Sequence, residues 1–93
     1  MRTKILIPLA FTLFAAGCAG NPNSNLAQQC ADGLSIANQE LNYAETKGFS
    51  GTVEYTKAAS LLGAAKVQQG FGKYPNCIEK VERARAYIQA SQR

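Results

Sequence analysis

Six apolar residues, Leu26, Cys30, Leu34, Ala37, Leu41 and Ala44, recur at steps of four, four, three, four and three. That spacing places them on one stripe of an α-helix; a strand, whose side chains alternate every second residue, cannot bury such a set on one side. Ser24 or Asn25 can cap its start, and Gly48 follows it in a position suited to a left-handed helix end. Ser50 then stands where it can accept hydrogen bonds from the first amides of a second helix, expected from about Thr52 to Gln69. In that helix Tyr55, Ala58, Leu61, Leu62 and Ala65 face inward, with Glu54, Lys57 and Lys66 outside. The stretch GFGKYPN breaks the pattern: Gly70, Gly72 and Pro75 mark a short turn, with Pro75 at the first position of a third helix. Cys77, Ile78, Val81, Ala84 and Ile88 form the third stripe, and Glu79 with Arg83, and Glu82 with Arg85, can pair along its surface. No segment alternates like a strand. The expected fold class is therefore all-α, a compact three-helix bundle over residues 26–93.

The chain before this bundle has a different character. Arg2 and Lys4 precede an apolar run from Ile5 to Ala16, and Ala15, Ala16 and Gly17 supply small residues ahead of Cys18. Residues 1–17 have the layout of a secretory leader, and the run falls short of the roughly twenty residues a membrane span needs. The sequence Ala15-Ala16-Gly17-Cys18 resembles the lipobox of bacterial lipoproteins, although that family more often has Leu where Ala15 stands. The resemblance implies that Cys18 carries a diacylglycerol thioether and an acylated amine, and that residues 1–17 are removed. Three acyl chains, at about 0.8 kcal/mol per buried methylene, would hold the chain at the membrane. With Ala19 rather than Asp after the modified cysteine, the same resemblance implies the periplasmic face of the outer membrane. Residues 18–25, rich in Gly, Asn, Pro and Ser, are then a flexible tether.

This address changes how composition and cysteines are read. Taking the seventeen leader residues from 93 leaves 76, and the net charge falls from +4 to +2 because Arg2 and Lys4 leave with the leader. So little excess charge, on an exported chain, argues against a nucleic-acid partner. A domain of this size buries a modest core and gains from a covalent staple. In the oxidising periplasm, with Cys18 lipidated, Cys30 and Cys77 remain as an even pair and a disulfide is expected. A metal site is not expected, since two cysteines without any histidine cannot complete the usual zinc set.

The last two helices also resemble one tetratricopeptide-type helical hairpin. Ala65 stands at a small packing position, and Gly72, Tyr74, Cys77, Ile78, Val81 and Ala84 are spaced like that family's Gly-x-Tyr-x-x-Ala-Ile-x-x-Tyr-x-x-Ala. The family's closing proline is absent, with Gln89 near its place, and Cys77 sits where Ala is usual. The resemblance implies close helix approach at Cys77, a place compatible with a bridge to Cys30.

No constellation for catalysis emerges. The chain has no His and a single Asp, Asp32, so nucleophile, base and orienter cannot be assembled in the common ways. Glu79 and Glu82 share a face, but their Arg neighbours suit a solvated, ion-paired surface. Gly70-Phe71-Gly72-Lys73 lacks the length and the hydroxyl of a phosphate loop. No enzymatic activity and no cofactor are expected. Lys73, Lys80, Arg83 and Arg85 make the C-terminal third basic, a candidate surface for an anionic partner such as head groups, peptidoglycan peptides or acidic proteins. Phe49 and Phe71, at helix ends, are expected to close the bundle, and Tyr55 and Tyr74 to join the core. The expected role is that of a lipid-anchored envelope adaptor binding another protein. The alternatives are a protective or inhibitory binder of a toxin or wall hydrolase, and a structural spacer with peptidoglycan affinity.

Overall fold

The computed structural model describes residues 22–93, all in helices and their connections. The leader, Cys18 and the first part of the expected tether lie outside the described residues. Helix α1 runs Pro22–Thr46, α2 Val53–Gly70 and α3 Tyr74–Ser91. The all-α three-helix bundle is thus the fold. One boundary moves: α1 starts four residues before Leu26, so residues 22–25, expected in the tether, belong to the helix. Proline is well tolerated in a first helical turn, where its missing N–H has no partner to lose.

The helix ends at the two connections have identifiable causes. At the end of α1, Gly48 takes φ +92°, the Gly48 amide donates to the Glu45 carbonyl, and the Phe49 amide reaches back to the Ala44 carbonyl. This is a Schellman closure, in which a residue without Cβ adopts the left-handed conformation. The end of α2 repeats it: Gly72 has φ +74°, its amide donates to Gln69, and the Lys73 amide donates to Gln68. The start of α2 is capped by Thr52 rather than Ser50. The Thr52 hydroxyl accepts from the Tyr55 amide at 3.1 Å and donates to the Phe49 carbonyl at 2.9 Å, so one side chain joins the turn to the helix. Pro75 falls at the second position of α3, one later than the spacing alone places it.

The three stripes meet in one core. Cys30, Leu34, Ala37 and Ala44 of α1 pack with Ala58, Leu62 and Ala65 of α2 and with Cys77, Val81, Ala84 and Ile88 of α3. The many alanines let the helices approach closely, and Leu41, Phe49, Tyr55, Leu61, Tyr74, Ile78 and Tyr87 fill the margins. Tyr55 and Tyr74 thus pack on the core as expected. Phe49 does too, whereas Phe71 is 74% exposed and closes nothing. The buried Ser91 hydroxyl donates to the Ile88 carbonyl at 2.6 Å, which satisfies the one buried polar side chain among the described residues.

Helices α2 and α3 form an antiparallel hairpin with the most extensive interface; α1 and α2 share the smallest. Helix α1 lies parallel to α3, in a register offset of 47 residues at Cys30–Cys77 and 45 at Glu40–Arg85. Between those points a Cβ on Gly33 would come within 3.1 Å of Val81, so the glycine lets the two helices close together.

Candidate interaction surfaces

The expected disulfide joins Cys30 to Cys77, both fully buried. Its place in the third turn of α1 and the first turn of α3 ties together two helices that no turn connects. Some two helical turns further along, Arg85 of α3 donates from Nε and one terminal nitrogen to both oxygens of Glu40, each at 2.8 Å. The hydrogen bonds and then the charge of Glu40 hold the Arg85 guanidinium above its ordinary value, against a smaller opposing effect of burial. Arg85 is therefore engaged across helices rather than with Glu82.

That engagement changes the basic surface. Lys73 is exposed at the α2–α3 turn, and Arg83 points outward in an exposed pair with Glu79 at 3.6 Å. Lys80 is half-buried on another flank, one heptad before Tyr87, whose ring meets the Lys57 ammonium of α2 at 5.3 Å. Arg85 turns to α1. The four cations therefore occupy the turn, the outer face and both flanks of α3, not one patch.

A shallow groove of about 290 Å³ opens between α1 and α3 beyond the Glu40–Arg85 pair. Ile88 contributes its apolar wall, and Gln39, Gln89 and Gln92 bring amides that both donate and accept. Tyr43, 55% exposed, stands at its side with the Lys47 ammonium 5.4 Å from the ring centre. With Glu40 neutralised by Arg85, this lining suits a neutral polar ligand better than a charged one. Among the described residues no cluster of three His, Cys, Asp or Glu could hold a metal ion.

The surface that sequence reasoning missed is the outward face of α2. Thr56, Ser60 and Gly63 are exposed there, flanked by Val53 at 65% and Val67 at 54%. They follow one another at steps of three, four, three and four, opposite the buried Ala58, Leu62 and Ala65. No charge interrupts the strip; Lys57 and Lys66 lie to either side. A solvated helix normally concentrates charge on such a face, as α3 does with Glu79, Glu82 and Arg83. A search for a second stripe half a turn from the first would have revealed it.

Known proteins offer no further guide: no family model matches the chain, and no match is found among curated proteins or solved structures. Among the described residues no helix is long and apolar enough to cross a membrane.

Proposed function

We propose that this chain is a non-catalytic lipoprotein of the outer membrane's periplasmic face, anchored through Cys18, that serves as an envelope adaptor by binding another protein. The observation that carries the protein-binding part is the uncharged outward face of α2, from Val53 to Val67, on the hairpin whose spacing resembles a tetratricopeptide unit. The lipobox resemblance supports the address, and a buried disulfide is what an oxidising compartment permits. Anchoring raises the effective concentration of such a face for neighbours on the same membrane.

A second reading, a spacer with peptidoglycan affinity, draws on the amide-lined groove beside Tyr43. One experiment separates the two: a photoreactive residue placed at Ser60 or at Gln89 in cells. A reproducible protein adduct from position 60 supports the adaptor, and a wall-glycan adduct from position 89 alone supports the spacer. Absence of any adduct at position 60 rejects the adaptor.

A further inference from the structure

The up-down-up order of the helices sets the α2–α3 turn at the same end of the bundle as the start of α1. The disulfide fixes how far apart they are along the axis. Pro22 lies eight residues before Cys30, about 12 Å at the helical rise, and Lys73 lies four before Cys77, about 6 Å. The turn therefore sits only about 6 Å behind the first residue of α1. From Cys18 to Pro22 is four residues, at most about 14 Å of chain. A lipid-anchored Cys18 thus keeps this end of the bundle next to the membrane, with the Val53 end of α2 about 27 Å away.

The composition of this near end is distinctive. Residues 22–30 and 66–77, which make up the bundle from the disulfide level outward, contain Lys66 and Lys73 and no acidic residue. The nearest acids, Asp32 and Glu79, come two residues past the cysteines, and Glu40, Glu45, Glu54 and Glu82 lie further toward the other end, mixed with cations. At the near tip Phe71 is the most exposed large hydrophobic residue among those described, at 74%, with exposed Gly70, Gly72, Lys73 and Pro75 around it. An aromatic ring flanked by lysines, with small residues that leave it uncovered, is suited to the interfacial layer of a bilayer. There the ring leaves water and the ammonium groups meet phosphate.

We propose that the α2–α3 turn is a second membrane contact, in which Phe71 enters the interfacial layer and Lys73 and Lys66 engage anionic phospholipid head groups. This rests on the anchor at Cys18, which holds the turn within reach. It gives the domain a defined posture: α2 stands with its Val53 end toward the periplasm.

The chain has no tryptophan, so Phe71→Trp supplies a single fluorescent reporter at the turn, and Val53→Trp a matched one at the far end. Each full-length variant, isolated from bacterial membranes, is reconstituted into vesicles of phosphatidylethanolamine and phosphatidylglycerol with brominated acyl chains. Flotation with the vesicles reads the anchor separately. The expected result is a blue-shifted turn reporter that loses most of its emission to bromine, an unquenched far-end reporter, and about fivefold weaker engagement of the turn reporter after Lys73→Gln. A protein that floats while the turn reporter stays unquenched, or while both reporters are quenched alike, overturns the turn contact and leaves the anchor standing. Failure to float overturns the anchor, and the contact with it.

Discussion

The two seams of α3 are built in different ways. Against α2 it needs only packing and a turn: Gly72 closes the helix, the Asn76 amide donates to the Gln68 side chain at 3.2 Å, and Ala58, Leu62 and Ala65 supply the apolar face. Against α1 it is fastened at intervals, by the disulfide, the notch at Gly33 and the Glu40–Arg85 pair. The contrast follows sequence distance. A three-residue turn presents α2 to α3 at little entropic cost, while docking α1 on α3 closes a loop of 47 residues. Where the chain cannot rely on proximity, it uses a covalent bond and directional contacts.

Reducing the disulfide is the strongest way to break this contrast. In the chain-entropy account a loop of this length contributes about 4 kcal/mol, a large share of a small domain's stability. Urea unfolding with and without reductant should show a loss of that order, and hydrogen exchange should rise first in α1. Equal exposure of α1 and α2 on reduction would mean that the two seams are not separable.

Two glycines sharpen it further. Gly33→Leu forces side-chain atoms against Val81 and should cost about 1–3 kcal/mol. Gly63→Ala, with nothing within 4 Å of the new Cβ, should stabilise by about 1 kcal/mol through helix propensity alone. Thermal midpoints of both variants check the pair, and a destabilising Gly63→Ala would show that the outer face of α2 is covered. The smallest effect is expected at Arg85→Ala, about 0.5–1 kcal/mol and less in high salt, because the pair is partly exposed. A salt-independent loss there would point to packing by the arginine stem instead.

The fold was largely legible because it depends on local patterns. The stripe from Leu26 to Ala44 fixed α1, and Gly48 and Gly72 marked two helix ends whose left-handed geometry favours glycine. Start points were harder: Pro, Asn and Ser serve tethers and first turns equally well, which is why α1 begins earlier than its apolar stripe. Arg85 shows a deeper limit. On the helix it is a neighbour of Glu82, but the parallel packing of α1 presents Glu40 in bidentate geometry, a tertiary option invisible to spacing within one helix.

The two phenylalanines differ for a reason within the caps themselves. Phe49 follows its left-handed glycine, and its amide returns to Ala44, so the ring folds back over the helix end. Phe71 precedes its glycine and is directed away. The candidate surfaces were less legible than the fold, since clustering of Lys73, Lys80, Arg83 and Arg85 along the chain did not become clustering in space.

The disulfide also determines how the domain would bear load. A pull applied between the start of α1 and the end of α3 passes through Cys30 and Cys77, and the chain between them, all of α2 included, is bypassed. About 160 Å of contour length is thereby withheld from extension while the bond stays oxidised. Helix α2 can lose its packing under tension, but it cannot be drawn out into the line of force.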